Sequence, residues 1–320
     1  MALPSVVPAP ASIEADGSAP FALTSGTPIV AAAEIADATE ALQSLIETRT
    51  GLRLDTREPA DSAADARAIV LEIAGDGAAE SYRLDVTEAS VIVSGTDAAG
   101  LFSGVQTLGQ LVKPAPGGWQ IPAVRIVDAP RFAYRGVMLD VARHFHDVAT
   151  VKAYIDRTSA LKFNHLHLHL TDDQGWRLQL DSRPLLTEKA SATSVGGDPG
   201  GFYTQDDYRE IIDHAGARHM TVVPEIDLPG HTHAVSLAYP ELSEEPVLSD
   251  HIREIVRDYG GELPVNRVPY DGMAVGFSSL KIRDEATYEF LADVLGEVAR
   301  LNPGPYLHIG GDEALGTSAE

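Results

Sequence analysis

The sequence predicts an α/β protein of two regions, and the prediction rests on two patterns along its 320 residues. In residues 1–125, short runs of alternating apolar and polar residues are separated by turn residues, which is typical of a small α/β domain with an antiparallel sheet and helices. In residues 126–320, apolar strand-like runs alternate with amphipathic helices. Such βα units predict a parallel sheet with right-handed crossovers, either an open doubly wound sheet or a closed (β/α) barrel.

The first region has three clear strand candidates, AIVLEIAG, SYRLDVTE and ASVIVSGT, followed by the helical pattern of GLFSGVQTLGQLV. The KPAPGGWQIP segment that comes next is rich in proline and glycine, which predicts a boundary. No motif in this region of the sequence suggests catalytic chemistry. We therefore expect residues 1–125 to form a supporting, non-catalytic domain.

The second region contains four strand candidates, YRGVMLDVAR, NHLHLHLTDD, MTVVPEIDLPGH and PYLHIGGDE. The helices between them are TVKAYIDRTSALKF, TQDDYREIIDHAGARH and DEATYEFLADVLGEVARL. Thr204 followed by Asp207 predicts a capped start for the second helix. The sequence has neither a Walker A pattern nor G-x-G-x-x-G after a strand, which disfavours the nucleotide-binding α/β folds.

Composition restricts the partners. Hydrophobic residues make up 44% of the chain, and 47 acidic against 24 basic residues give a formal net charge of −23. Such a surface repels nucleic acid and anionic membranes, and we expect neither as a partner. No run of consecutive apolar residues approaches the roughly 18 that a membrane-spanning helix needs. The absence of cysteine excludes disulfides, and the first 30 residues lack a signal-peptide pattern, so a cytoplasmic location is expected.

Polar side chains follow all four predicted strands at their C-terminal ends. They are Asp140, Arg143 and His144 after the first strand, Asp172 and Asp173 after the second, Glu225, Asp227 and His231 after the third, and Asp312 and Glu313 after the fourth. One such group alone is more often a helix cap or a surface ion pair. In a (β/α) barrel, however, these strand ends form one rim, where the active sites of such enzymes lie.

Three histidines, His165, His167 and His169, share one face of the second strand because side chains alternate along a strand. Histidines at this spacing with carboxylates nearby can ligate zinc. The alternative is neutral imidazoles that are hydrogen-bonded within the sheet. We favour the second interpretation, because the other strands offer mostly carboxylates.

The adjacent carboxyl groups of Asp312 and Glu313 are the most informative pair. Two like charges this close cannot both ionise without cost, so one pKa should rise, as a general acid requires. Gly310 and Gly311 allow unusual backbone geometry and the close approach of a ligand. Paired carboxyl groups at the mouth of a barrel suggest glycoside hydrolysis.

Four segments, RGVMLDVARHF, FNHLHLHLTDDQGWR, EIDLPGHT and HIGGDEA, resemble the motifs of glycoside hydrolase family 20, the β-N-acetylhexosaminidases, in the order of that family. The DAPRFAYRG lead-in and the small domain before it also match. The resemblance implies the first half of a (β/α)8 TIM barrel behind the small domain. It also implies retaining, substrate-assisted hydrolysis of terminal nonreducing β-linked N-acetylglucosamine or N-acetylgalactosamine, through an oxazolinium intermediate and without metal or cofactor.

The same resemblance implies roles for individual residues. Glu313 would be the general acid and base, and Asp312 would hold the substrate's acetamido N–H. Arg143 would bind hydroxyls of the nonreducing sugar. Asp172 and His231 would form a pair that tunes the acid, although the choice between Asp172 and Asp173 is open, and Asp227 would support Asp312.

The sequence departs from the family in length, because a complete barrel of this kind has eight strands and roughly 250 residues. We therefore expect an incomplete sequence whose isolated 320 residues are inactive or poorly folded. Two alternatives remain, a metal-dependent hydrolase that uses the histidines of the second strand and a sugar-binding relative without catalysis.

Overall fold

The computed structural model describes residues 3–59 and 67–314, which divide into two compact units. The first unit contains the described residues up to Arg135 together with Asp156–Phe163 and Ala217–His219, and the second contains the others. Both units combine helices and strands, so the α/β class is confirmed. Among the described residues, no helix is both long and apolar enough to cross a bilayer.

The first unit is built on a mixed sheet with helices α1 and α2 packed against each other. Its strands are β1 (Ser12–Ala15), β2 (Phe21–Leu23), β3 (Ile29–Val30), β4 (Thr56–Arg57), β5 (Ile69–Ile73), β6 (Tyr82–Val86), β7 (Val91–Gly95), β8 (Lys113–Ala115), β9 (Gly118–Ile121) and β10 (Val124–Asp128), and its helices are α1 (Ala36–Thr50) and α2 (Ala98–Leu111). In the described chain the larger sheet has the order β1-β10-β6-β7-β5-β3-β4, and a smaller one has the order β2-β9-β8.

The larger sheet differs from the antiparallel sheet that the sequence predicts. Strands β1, β10, β6 and β7 pair antiparallel, but β7, β5, β3 and β4 pair parallel. Helix α1 lies between β3 and β4 in the sequence, and a helical crossover returns the chain to the same end of the sheet, which makes these strands parallel. The KPAPGGWQIP segment forms the antiparallel hairpin β8–β9, with positive φ at Gly117 in the turn and at Gly118, the first residue of β9.

The second unit places its strand ends in one row. Its strands are β11 (Gly136–Asp140), β12 (His165–His169), β13 (Thr171–Asp172), β14 (Gly175–Trp176) and β15 (Thr221–Glu225), and its helices are α3 (Val148–Ser159, of which the residues from Asp156 belong to the first unit), α4 (Leu185–Ala190), α5 (Gln205–Gly216), α6 (His233–Ala238), α7 (Asp250–Tyr259) and α8 (Glu285–Leu301). Strands β11, β12 and β15 form a parallel sheet in which Asp140, His169 and Glu225 align. The C-terminal ends of three predicted strands therefore meet at one edge.

The fourth predicted strand, PYLHIGGDE, is reduced to one parallel bridge between Glu225 and His308. The backbone amide of His308 donates to the Pro224 carbonyl at 2.9 Å, and the amide of Leu228 donates to the Ile309 carbonyl at 3.0 Å. At Gly310 the backbone leaves the extended region, with φ of +63°. The segment therefore follows β15 for only a few residues before it turns.

Two predicted helix starts are confirmed by their hydrogen bonds. The amide of Asp207 donates to Thr204 Oγ1 at 3.1 Å, and the amide of Thr204 donates to Asp207 Oδ2 at 2.9 Å, which is a reciprocal cap on α5. At the start of α8, Asp284 Oδ1 accepts from the amide of Ala286 at 3.1 Å.

The guanidinium of Arg177 is completely buried behind the strand ends of the second unit. Its N–H groups donate to backbone carbonyls of three segments, at Val141 and Ala142, at Ser191 and Thr193, and at Gly201. Burial lowers the pKa of Arg177 to about 10, which leaves it charged at neutral pH. Arg177 therefore fixes the backbone of the two residues that precede Arg143.

We predict that Arg177→Met destabilises the protein by about 3 kcal/mol or more, because several buried carbonyls lose their donors. Urea unfolding followed by circular dichroism measures the change in the free energy of unfolding. Arg257→Met, at an exposed ion pair with Asp258 on α7, is the matched control and should cost less than about 1 kcal/mol. Equal losses in the two variants would contradict the role given to Arg177.

Candidate active site

Asp140, the last residue of β11, folds the following loop back onto the strand ends. Its Oδ1 accepts hydrogen bonds from the amides of Ala142 at 3.0 Å and Arg143 at 2.9 Å, and its Oδ2 accepts from Nη1 of Arg143 at 3.0 Å. The other guanidinium nitrogen, Nη2, lies 2.8 Å from Asp172 Oδ2. Arg143 is thus held by two carboxylates while about a quarter of its side chain stays accessible.

His169, the last residue of β12, bridges two carboxylates. Its Nδ1 lies 2.7 Å from Glu225 Oε2 at the end of β15, and its Nε2 lies 2.8 Å from Asp172 Oδ2. Burial disfavours the charged ring, but the hydrogen bonds to Asp172 and Glu225 outweigh it and raise the pKa of His169 to about 10. The expectation of a neutral imidazole is therefore wrong for His169.

His231 connects the buried acids with the exposed ones. Its Nδ1 lies 3.2 Å from Asp172 Oδ1, whereas its Nε2 lies 3.4 Å from Glu313 Oε2 and 3.7 Å from Asp312 Oδ2. Burial lowers the pKa of His231, but the hydrogen bond to Asp172 more than compensates and raises it to about 9. A protonated His231 at neutral pH therefore donates one N–H to Asp172, and its other nitrogen lies within 4 Å of both Asp312 and Glu313.

The structure distinguishes between the two consecutive aspartates. Asp172 contacts His231 and Arg143, whereas the nearest approach of Asp173 to His231 is 3.9 Å. Asp173 instead accepts from Ser278 Oγ at 2.5 Å and from the amide of His233 at 3.1 Å. Burial and the neighbouring Asp172 raise the pKa of Asp173, while His169, His231 and Arg143 hold the pKa of Asp172 low despite its burial. Asp172 is the ionised member of the pair.

Asp227 shapes the backbone that carries the exposed carboxylates. Its Oδ1 accepts a hydrogen bond from the amide of Gly311 at 3.0 Å. A Cβ on Gly310 would lie 1.8 Å from the same oxygen, so only glycine fits at this position. Burial raises the pKa of Asp227 to about 6, although the Gly311 amide opposes the shift. Asp227 contacts the turn before Asp312 rather than making a hydrogen bond with the Asp312 side chain.

Asp312 and Glu313 are the accessible members of the cluster. Their side chains are 68% and 50% exposed, in contrast to the completely buried side chains of Asp172 and His231. Glu313 adopts a positive φ of 48°, which is uncommon outside glycine and recurs at functional sites. A Cβ on Gly276 would lie 3.1 Å from Glu313 Oε2, so the loop before Ser278 runs directly beside this carboxylate.

All six residues proposed from the sequence, Arg143, Asp172, Asp227, His231, Asp312 and Glu313, therefore belong to one connected cluster. Charges alternate within the cluster, because the positive Arg143, His169 and His231 surround the buried Asp172 carboxylate. His169 and the loop at Gly276 and Ser278 also belong to the site, although no role is predicted for them from the sequence. The alternation of histidines along β12 was a usable signal for His169, whereas the loop lies far from the strand motifs in the sequence.

Distances alone would allow metal binding at His167, Glu225 and His308, whose possible ligand atoms lie within 4.8 Å of one another. However, Glu225 Oε2 already contacts His167 Nε2 at 2.5 Å and His169 Nδ1 at 2.7 Å. Both nitrogens of His169 face carboxylates, and a protonated ring has no free lone pair for a metal. The histidines of β12 are thus explained by hydrogen bonds, and the expectation of no metal stays a prediction.

Comparison with known protein families assigns both parts of the chain. The family model described as "Glycosyl hydrolase family 20, catalytic domain" matches residues 132–318, and "Glycosyl hydrolase family 20, domain 2" matches residues 3–129. The first match contains every residue of the cluster.

Individual relatives agree with this assignment. A beta-N-acetylhexosaminidase of Cellulomonas fimi is 40% identical over 97% of this chain and 60% of its own length. Among solved structures, a glycoside hydrolase family 20 beta-N-acetylglucosaminidase is 60% identical with a TM-score of 0.87, over 99% of this chain and 61% of that one. A mutant Streptomyces plicatus beta-hexosaminidase in complex with product (GlcNAc) is 45% identical with a TM-score of 0.84, over 97% and 59%. The chain spans about 60% of the length of these relatives, and it belongs to glycoside hydrolase family 20.

Proposed function

We propose that the protein removes terminal nonreducing β-linked N-acetylglucosamine or N-acetylgalactosamine from glycans, by a retaining mechanism in which the substrate's acetamido group is the nucleophile. The observation that carries the proposal is the position of Asp312 and Glu313. These two accessible carboxylates lie beside the same protonated His231, whose other nitrogen contacts the buried Asp172. The names of the relatives, hexosaminidases and an acetylglucosaminidase, support this substrate class.

In the first step, Glu313 gives its proton to the glycosidic oxygen while the acetamido carbonyl oxygen attacks the anomeric carbon. The bond to the leaving group breaks and an oxazolinium ring forms. Asp312 accepts a hydrogen bond from the acetamido N–H and stabilises the positive charge of that ring. In the second step, the Glu313 carboxylate takes a proton from water, the water oxygen attacks the anomeric carbon, and the acetamido group is released.

The buried cluster suits these steps. Nε2 of protonated His231 lies 3.4 Å from Glu313 Oε2, and the positive charge of the ring can stabilise the Glu313 carboxylate after the proton has left. Asp172 compensates the charge of His231 from the other side. Arg143 presents a rigid fork of donors whose accessible edge can bind two neighbouring hydroxyls of the sugar.

We also propose the architecture in which the site acts. The parallel strands β11, β12 and β15, with the Glu225–His308 bridge, would be the first part of a (β/α)8 barrel, and a boundary after residue 125 would separate it from the supporting domain. The gathering of polar side chains at the C-terminal strand ends supports the barrel. The separate family matches to residues 3–129 and 132–318 support the boundary. The substrate would be a small carbohydrate, and the cytoplasmic location stays a prediction.

We predict that Glu313→Gln and Asp312→Asn each lower kcat for an aryl N-acetyl-β-glucosaminide by a factor of about 10² to 10⁴, because each removes a group that acts in the transition state. The rates are measured on the protein as its gene encodes it and, in parallel, on residues 1–320. Glu289→Gln, at an exposed position of α8, is the control and should keep the normal rate. Unchanged turnover by Glu313→Gln would refute its role, and a protein that binds the sugar without any turnover would favour the non-catalytic alternative.

The metal-dependent alternative gives a separate prediction. Dialysis against EDTA should leave the rate unchanged, because the proposed steps are carried out by carboxylates and the substrate's own amide. Metal analysis of the purified protein accompanies the assay. Loss of activity that added Zn²⁺ restores would favour the alternative and contradict this proposal.

The charge assigned to His231 predicts a pH-dependent stability. Its pKa is about 9 in the folded protein and ordinarily 6.5, so the stabilisation is complete below pH 6.5 and is lost as the pH rises through about 9. We predict that His231→Asn destabilises the protein more at pH 7 than at pH 10, by a difference on the order of 2 kcal/mol. Urea unfolding at both pH values measures this difference, with His251→Asn on α7 as the exposed control. A pH-independent cost would contradict the charged state.

A further inference from the structure

A chain of alternating charges extends from the Asp172–His231 pair away from the exposed carboxylates. Glu225 Oε2 contacts His169 Nδ1 at 2.7 Å, and His169 Nε2 contacts Asp172 Oδ2 at 2.8 Å. Asp172 Oδ1 then contacts His231 Nδ1 at 3.2 Å, and His231 Nε2 lies 3.4 Å from Glu313. The first two members have no role in the steps described above.

We infer that His169 and Glu225 are positioning residues for the reaction, which together orient Asp172 and, through Asp172, the ring of His231, whose Nε2 lies 3.4 Å from Glu313 Oε2. The inference rests on the proposed function, because it assumes that Glu313 is the general acid. Neither residue touches the accessible face of the cluster, since the His169 and Glu225 side chains are only 5% and 6% exposed.

The hydrogen bonds of Asp172 show why its orientation depends on His169. Its Oδ2 is shared between His169 and Arg143, and its Oδ1 is shared between His231 and the amide of Asp173 at 2.6 Å. The carboxylate is completely buried, so water cannot replace a lost donor. Without His169, Arg143 is the remaining partner of Oδ2, and the carboxylate can rotate toward it and away from His231.

Glu225 provides the fixed end of the chain of alternating charges. It is the last residue of β15, and it is paired through the backbone with His169 on one side and His308 on the other. Its Oε2 is also 2.5 Å from His167 Nε2, and its Oε1 is 3.2 Å from His308 Nδ1. Contacts with three histidines hold this carboxylate in place, and it in turn holds the ring of His169 in one orientation.

Charged groups face His169 from each neighbouring segment. Glu225 lies on β15, Asp172 on β13, and Asp140 and Arg143 on the end of β11 and its loop. Asp227, which follows β15, also lies close by, since its carboxylate can come within 4.8 Å of the ring nitrogen of His169. Four of these groups are acids around one cationic ring. Loss of the positive charge of the ring alone would raise the pKa of His231, whereas rotation of Asp172 away from His231 would lower it, because the hydrogen bond to Asp172 raises this pKa.

The experiment compares His169→Gln and Glu225→Gln with the control His165→Gln, which changes a half-buried histidine on the same face of β12 but at the opposite end of the strand. We expect kcat of the first two variants to fall by about 10- to 100-fold with KM changed by less than about threefold. We also expect one limb of their pH–kcat profiles to move by about half a unit or more. Glu225→Gln keeps the shape of the side chain, so it tests the positioning role on its own if His169→Gln fails to fold.

A readout that needs no glycosidase activity separates this inference from the proposed function. The titration of His231 is followed by NMR of its ring nitrogens, and we expect its pKa to fall by about one unit in His169→Gln and Glu225→Gln but not in His165→Gln. This shift in an inactive protein would support the positioning chain and refute the proposed reaction. A His231 pKa that rises in His169→Gln, or an unmoved His231 titration with an unmoved pH–kcat profile, would overturn the inference, even if both variants are destabilised.

Discussion

The site depends on the burial of one anion, the Asp172 carboxylate. A completely buried carboxylate is tolerated only when donors and positive charges surround it. Here Arg143, His169 and His231 supply them, and each comes from a different segment of the chain: the loop after β11, the end of β12, and the turn after β15. The requirement to neutralise one carboxylate therefore brings three strand ends into contact. It also fixes the protonation of His231, which faces Glu313, so the same interaction that holds the cluster together sets the electrostatic environment of the proposed acid.

A second constraint explains how adjacent residues can serve one substrate. Neighbouring side chains of an extended strand point to opposite faces, but Gly310, Gly311 and Glu313 all have positive φ. The Asp227 carboxylate fixes this turn by accepting the Gly311 amide, and it leaves no space for a side chain on Gly310. The backbone is thus bent where the two carboxylates follow. As a result Asp312 and Glu313 both lie within 4 Å of the Nε2 of His231.

Much of this arrangement follows from local sequence patterns. The alternation of strands and helices predicts β11, β12 and β15, the Thr204–Asp207 cap is read directly from spacing, and polar residues after each strand mark the rim. Other features depend on contacts between residues distant in the sequence. The mixed sheet of the first unit requires knowledge of which strands pair. The charge of His169 depends on Glu225, 56 positions away, and Asp173 accepts a hydrogen bond from Ser278, 105 positions away. Spacing along the chain contains no information about these contacts.

We propose that side chains from successive strand ends bind a single sugar ring. A crystal structure of the protein with N-acetylglucosamine tests this proposal. We expect one ring to contact Arg143 through its hydroxyls, Asp312 through its acetamido N–H, and Glu313 through the oxygen on its anomeric carbon. A sugar that binds in the same crystals without contacting Asp312 and Glu313, or one that contacts them while Arg143 remains out of reach, would refute the proposal.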